Sequence, residues 1–231
     1  MIYCIQIMEA KDFFVMLKTI LFDLDGTLTD PALGITNSVL YALNKHGYPL
    51  PERDKLYFFI GPPLWESFAK YCNINEEHAH KMVNTYREYF STKGIFENKL
   101  IKNASSLLKN LKEKGYTIAL STSKPEVFAR KILEHFEIAN FFDVIVGSNL
   151  DGSLTDKAEV IKKTLTLLNI TDKKNVAMVG DRMHDMVGAV KCGVTPIGVL
   201  CGYGDRKELE ESGAAFIVKD LIELEKLLER M

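Results

Sequence analysis

From Lys18 onward, short apolar runs alternate with longer stretches of helical period. TILFD at 19–23 is the first run, YTIALST at 116–122 the second and FDVIVG at 142–147 the third. NVAMVGD at 175–181 and TPIGVL at 195–200 follow, and AFIV at 215–218 is a sixth. These runs are brief, rich in Val and Ile, and often apolar at successive positions. Strands covered on both faces read this way. Helical periodicity fills the gaps. Ala104, Leu107, Leu108 and Leu111 share a face, with Gly115 as the stop. Val127, Arg130, Ile132, Leu133 and Phe136 make a mostly apolar stripe after Pro125. Val160, Ile161, Leu165 and Leu168 repeat the pattern, and Leu221, Leu224, Leu227 and Leu228 close the chain. Strand–helix alternation implies an α/β fold, a doubly wound (Rossmann-like) parallel sheet with right-handed crossovers. In such sheets ligands bind at the carboxyl ends of the strands.

One interval breaks the rhythm. Between Asp30 and about Ile101 no buried strand is legible. Ile35, Val39, Leu40 and Leu43 mark a helix, with Asp30 as its expected N-cap and Pro31 in its first turn. Residues 64–72 and 76–91 read as further helices. The insertion falls directly after the first strand, so 32–100 is expected to form a helical cap on a core domain of 18–31 and 101–231. Residues 1–17, MIYCIQIMEAKDFFVML, are set apart as an arm. Glu9, Lys11 and Asp12 interrupt its apolar stretch, and it has neither the basic start nor the small-residue cleavage site of a secretory signal. Met16 precedes the first strand, which leaves an upstream start, a loosely attached arm or a docking segment as alternatives.

Composition narrows the class. A chain of 231 residues holds one large α/β domain or a core with a small insertion. With 47% hydrophobic and 26% charged residues it has the balance of an ordinary globular protein. Asp plus Glu number 31 against 29 Lys plus Arg, so no basic surplus points to nucleic acid or an anionic membrane. No window approaches the roughly 18 apolar residues of a membrane span. Cys4, Cys72, Cys192 and Cys201 form no CxxC pair and have no histidine spacing suited to zinc. They read as reduced thiols, and the expected location is cytoplasmic.

Four segments at strand ends carry the chemistry. In DLDGTLTD at 23–30, Asp23 and Asp25 stand two apart where a buried strand ends, so they are expected to point the same way. Gly26 follows, free to take a sharp turn. In GDRMHD at 180–185, Asp181 and Asp185 are four apart and would share a face if a helix turn begins there. A carboxylate cluster drawn from two strand ends suits a hard cation, magnesium with bound waters. His184 is read as a surface residue, since magnesium prefers oxygen, and Arg182 as a counter-charge without a catalytic role. Thr122, Ser123 and Lys124 follow the second strand; hydroxyls and free N–H groups at a helix start cradle phosphate oxygens. Lys157, in TDKAEVI, opens a helix after the third strand.

In this order the four segments resemble the four motifs of the haloacid dehalogenase superfamily, from about Lys18 to Val218. DGTLTD, STSKP, VGDRMHD with GAVKCGV, and GYG at 202–204 resemble its phosphoglycolate phosphatase-like branch. The resemblance implies a magnesium-dependent phosphatase acting through a phospho-aspartyl intermediate. Asp23 would be the nucleophile and Asp25 the general acid–base. Magnesium (Mg2+) would be held by Asp23, the carbonyl of Asp25, Asp181 and Asp185. Phosphate would be bound by Leu24, Asp25, Thr122, Ser123 and Lys157. Asp25 favours phosphoryl chemistry over dehalogenation, which needs no second carboxylate.

The expected partner is a small phosphorylated metabolite, phosphoglycolate-like or a nucleoside 5′-monophosphate, with the chain a monomer or homodimer. A phosphomutase of the β-phosphoglucomutase type and a non-catalytic phosphate-ligand-binding regulator are the alternatives. In the insertion, GPPL at 61–64 is a rigid turn suited to a specificity loop. Arg87, Lys93 and Lys99 are read as solvated charges, with contact to a substrate carboxylate or a second phosphate as the alternative. Trp65, Phe58, Phe59 and Phe68 are read as cap core rather than as a base-stacking platform.

Overall fold

The structure, a computed structural model, describes residues 17–231. The arm expected at 1–17 therefore lies outside the described residues, apart from the buried Leu17.

All six expected strands form. They are β1 (Thr19–Phe22), β4 (Thr117–Pro125), β5 (Val144–Ser148), β6 (Val176–Gly180), β7 (Thr195–Val199) and β8 (Phe216–Val218). They make one parallel sheet in the order β5-β4-β1-β6-β7-β8. A second, two-residue ladder pairs β2 (Thr29–Asp30) antiparallel with β3 (Lys99–Leu100). The chain leaves and re-enters the sheet layer across this ladder.

Both faces of the sheet are covered, which is why its strands are apolar at successive positions. On one face Ile20, Phe22, Ile118, Leu120, Ala177 and Val179 meet α4 (Ala104–Glu113), α5 (Glu126–His135) and α9 (Leu221–Leu228). On the other, Leu21, Ala119 and Met178 meet α6 (Lys157–Leu167) and α7 (Met183–Cys192). The short α8 (Arg206–Glu211) flanks β7 through the buried Leu209. In α5 the stripe is rotated from its expected phase: Phe128, Ala129, Ile132 and Leu133 are buried, while Val127 is 42% exposed. Proline at the N-cap starts the helix one residue before Val127 and turns it outward.

Between β2 and β3 lie α1 (Ala32–Lys45), a 3₁₀ segment at Arg53–Phe59, α2 (Leu64–Cys72), α3 (Glu76–Tyr89) and a π-helical turn at Phe90–Gly94. The 3₁₀ segment and the π-helical turn have no apolar period of their own, so hydrophobic periodicity does not show them. Asp30 is not the N-cap of α1. Pro31 takes that position, and Asp30 accepts instead from the N–H of Ala32 and the hydroxyl of Tyr203. The buried residues of these helices, among them Val39, Leu43, Phe59, Phe68, Met82 and Tyr86, join the same apolar cluster as one sheet face. Among the described residues, no helix is long and apolar enough to cross a membrane, and Cys72, Cys192 and Cys201 are free thiols.

Candidate active site

Register brings the motifs together. Phe22, the last residue of β1, stands opposite Leu120 of β4 and Val179 of β6. Two residues further along each strand direction come Leu24, Thr122 and Asp181. The N–H of Asp23 donates to the Val179 carbonyl at 2.9 Å, which holds the nearest carboxylate to the strand end. Three segments separated by most of the chain thus converge at the carboxyl edge of the sheet, where a parallel sheet opens its crevice.

The carboxylate pairs converge for reasons other than those the spacing suggests. Extended structure in β1 stops at Phe22, so strict alternation does not place Asp23 and Asp25. A turn does: Leu24 accepts from the N–H groups of Leu28 and Thr29, and Gly26 takes φ +84°. Asp181 and Asp185 do not share a helical face either, because α7 begins at Met183, beyond Asp181. Asp185 occupies the third position of that helix, where its Oδ2 accepts from the Arg182 N–H at 3.2 Å. An acid there satisfies an orphan helix donor, and this fixes Asp185 toward Asp181 at the preceding strand end.

Asp23, Asp181 and Asp185 are all buried, and each offers an oxygen within 4.8 Å of the others. Asp181 sits in a close-fitting cradle. Thr27 Oγ1 donates to one oxygen at 3.1 Å and the Tyr203 N–H to the other at 2.8 Å. A Cβ on Gly26 or on Gly202 would each lie 2.2 Å from its Oδ2. Burial, then the Asp185 and Asp23 charges, push Asp181 up to about 8. Burial likewise raises Asp185, to about 6, against the opposing pull of Lys157.

Lys157, the first residue of α6, reaches into this cluster. Its Nζ donates to Asp23 Oδ1 at 2.7 Å and to the Ser121 carbonyl at 3.0 Å. It also lies 2.7 Å from Asp185 Oδ1. That contact is a charge pairing without hydrogen-bond alignment, because Asp185 Oδ1 is left with no hydrogen bond. A cation opposes the dipole at a helix N-terminus. Burial alone would lower the ammonium, yet Asp185 and Asp23 hold it well above the usual lysine range.

Three buried carboxylates against one lysine leave a deficit of positive charge. The donors are all oxygen, and the buried Asp185 Oδ1 is met only by the Lys157 charge, without a hydrogen bond. This set fits a hard divalent cation of the Mg2+ kind.

Asp25 faces the same cleft. Lys124 Nζ pairs with its Oδ2 at 2.5 Å, while its Oδ1 is buried without a hydrogen bond. Burial raises its pKa, and Lys124 opposes that rise. Thr122 is 2% exposed and borders the cleft, with its Oγ1 accepting from the Lys124 N–H at 3.3 Å. Ser123 also borders it and donates to the Thr155 carbonyl at 3.0 Å. Leu24 differs from the other expected phosphate contacts: its side chain is fully buried in the core and does not border the cleft.

The inserted helices form the opposite wall. Pro62, Pro63 and Leu64 line it, as do Trp65, His80, Val83, Asn84 and Arg87. Residues 80, 83, 84 and 87 are one face of α3. The aromatic expectations divide here. Phe59 and Phe68 are core, whereas Phe58 is 40% exposed and Trp65 turns to the cleft, stacked on His80 at 5.6 Å. Arg87 is half-buried in the wall, and among the described residues it has no carboxylate partner. Lys93 and Lys99 are exposed and away from the cleft. Arg182 is no counter-charge to the cluster: its guanidinium donates to Glu208 at 2.8 Å and to the Ile60 carbonyl at 3.0 Å, tying the insertion to the core. His184 is exposed at the cleft rim. The sequence reading missed Thr27, Gly202 and the Tyr203 N–H as holders of Asp181; the Gly-rich GYG was the available signal.

The family model described as Haloacid dehalogenase-like hydrolase matches residues 20–199. A 5'-nucleotidase of Pseudomonas aeruginosa is 42% identical over 219 residues, covering 95% of this chain and 99% of that protein. Tyrosine-protein kinase PtkA of Mycobacterium tuberculosis is 37% identical over 214 residues, covering 93% of this chain and 72% of that one. The crystal structure of a predicted phosphatase from Clostridium acetobutylicum superposes with a TM-score of 0.89 at 46% identity, covering 93% of this chain and 100% of that one.

Proposed function

As a member of the haloacid dehalogenase-like hydrolase family, the chain is a phosphatase, and we propose that it hydrolyses a small phosphomonoester through a phospho-aspartyl intermediate on Asp23, with Mg2+ as its metal. The observation that carries this reading is the convergence of Asp23, Asp181, Asp185 and Lys157 beside Asp25 and Thr122 in one cleft.

An Asp23 oxygen attacks phosphorus. The new O–P bond forms as the ester P–O bond breaks, and the leaving alkoxide takes its proton from Asp25. Water then attacks the aspartyl phosphate and gives its proton to Asp25. Inorganic phosphate leaves and Asp23 is restored. Splitting the hydrolysis in this way replaces one difficult displacement with two easier ones, and a placed acid–base contributes roughly 10²–10⁴-fold. Thr122, Ser123 and Lys157 bind the transferring phosphoryl oxygens, and Lys157 balances the charge of the carboxylates. Asp23, the Asp25 carbonyl, Asp181 and Asp185 would hold Mg2+, which when bound offsets the repulsion between an anionic nucleophile and an anionic phosphate.

Residues 32–100 act as a cap over a core of 18–31 and 101–231, excluding water and contacting the leaving group. The β2–β3 ladder, across which the chain leaves and re-enters the sheet layer, supports this division. The substrate is a phosphorylated metabolite of phosphoglycolate or nucleoside 5′-monophosphate size.

The test is phosphate release from p-nitrophenyl phosphate, phosphoglycolate, nucleoside 5′-monophosphates and hexose phosphates, with Mg2+ and with EDTA. Turnover that needs Mg2+ and proceeds without a bisphosphate activator supports the hydrolase. Folded protein with no turnover on any of them overturns it.

A further inference from the structure

We propose that Lys124 is a positioning residue that presents one oxygen of Asp25 to the leaving group of the substrate. The proposal rests on the reading of Asp25 as acid–base.

The two oxygens of Asp25 have different surroundings. Oδ2 is paired with Lys124 Nζ at 2.5 Å, and Oδ1 has no hydrogen bond although it is buried. Both side chains are nearly removed from water, Lys124 at 7% exposure and Asp25 at 13%. An unpaired carboxylate oxygen in such a place is costly unless something arrives to meet it. Asp25 lines the cleft, so a bound substrate that reaches the buried Oδ1 would meet it with its ester oxygen. With Oδ2 taken, Oδ1 is the oxygen left to carry and release the proton.

Lys124 is itself held. Its Nζ lies 5.0 Å from the centre of the Phe90 ring, within cation–π range. Phe90 stands edge-on to Phe128 at 5.4 Å, and Phe128 belongs to the helix that follows Lys124. Its own N–H is anchored on Thr122 Oγ1. The ammonium therefore has little freedom to follow the carboxylate; the carboxylate is fixed to it. Lys124 also lies two residues after the phosphate-contacting Thr122, so the strand end that meets the phosphoryl group also orients the acid.

In the first step the Asp25 proton passes from Oδ1 to the ester oxygen as the P–O bond breaks, and the electron pair of that bond stays on the leaving oxygen. A misoriented Asp25 harms this transfer in proportion to how much the leaving group needs the proton. A nitrophenolate leaves readily without it; an unsubstituted phenolate depends on it.

The experiment measures kcat/KM of wild type, Lys124→Met and Lys124→Gln on a series of ring-substituted phenyl phosphates. The phenols range from strongly to weakly acidic at nearly constant shape. Wild-type turnover of p-nitrophenyl phosphate with Mg2+ tests the phosphatase reading separately. The Met variant is expected to lose about tenfold or less on p-nitrophenyl phosphate and at least tenfold more on phenyl phosphate. The Gln variant, which keeps a neutral donor for Oδ2, falls between. Thermal melts establish that each is folded, and the Gln variant carries the test if Met is not. An equal loss across the series, or no loss, overturns the assignment.

Discussion

Lys157 Nζ donates to Asp23 Oδ1 at 2.7 Å across 134 positions of sequence. The same ammonium neutralises Asp185, so removing it leaves three buried carboxylates without their cation. Lys157→Met is expected to cost about 3–5 kcal/mol in metal-free protein, the range for breaking a buried ion pair, and to lower kcat by roughly 10²–10³-fold. Lys157→Arg should not restore activity, because Gly188 backs the stem so closely that a Cβ there would lie 2.8 Å from Lys157 Cγ. Thermal unfolding in EDTA and phosphate release in Mg2+ check the two parts.

Asp23→Asn keeps the shape of the side chain and removes its nucleophilic charge. Turnover is expected to fall below detection, with the fold retained. Rapid-quench labelling should trap a phosphoprotein in wild type and none in the variant; a variant that retains wild-type rate ends the nucleophile assignment.

The pH dependence of metal-free stability follows from Asp181. Its folded pKa, about 8, lies above the ordinary 3.8. Between those values the folded state keeps a proton that the unfolded state has released. Below about 4 both states are protonated and the group contributes nothing. As pH rises toward 8 its burial becomes progressively destabilising. In EDTA, Tm should fall across that window, and Mg2+ should restore it most at the alkaline end, where the carboxylates are ready to bind. Asp181→Asn should flatten the EDTA curve above about pH 6, leave the slope that Asp185 contributes below it, and abolish the Mg2+ gain, read by scanning calorimetry.

Gly202→Ala tests the cradle. The added Cβ would lie 2.2 Å from Asp181 Oδ2 and 2.4 Å from the Gly26 carbonyl oxygen. Overpacking of this kind costs about 1–3 kcal/mol. Since the displaced group is a metal-ligand candidate, the Mg2+-induced rise in Tm should shrink as well, which a remote overpacked glycine would not cause.

Substitutions in the cleft wall test the two proposed substrate sizes. Arg87 and His80 are seven residues apart on α3, roughly 10 Å along its axis, and Trp65 stacks at the His80 end. On the proposed function, a carboxylate on a short leaving group is expected to meet Arg87, and a nucleoside base to extend toward Trp65. Trp65→Ala is expected to raise KM for nucleoside 5′-monophosphates by roughly tenfold, a stacking energy of about 1–3 kcal/mol being involved. It should spare phosphoglycolate. Arg87→Ala should reverse that preference. Steady-state kinetics on both substrates read the pattern.

Much of this protein is local in origin. The six strands are written in short apolar runs, because a strand buried on both faces must be apolar at successive positions. Asp23 and Asp25 are visible because a doubled carboxylate beside a glycine follows such a run. The insertion is visible because buried strands cease for some seventy residues. Tertiary structure decided which of these groups meet. Lys124 reaches Asp25 across 99 positions, and Thr27 reaches Asp181 across 154. Neither pairing has a local signal, since a lysine before a proline and a threonine in a turn look alike whether solvated or buried. Trp65 and Phe58 both depart from their expected place in the core, because apolar character shows that a side chain can be buried but not which cavity or surface it borders. The parallel register of β4, β1 and β6 supplies what the linear sequence lacks: it sets the strand ends level and turns three distant acids and a lysine into one charged cluster.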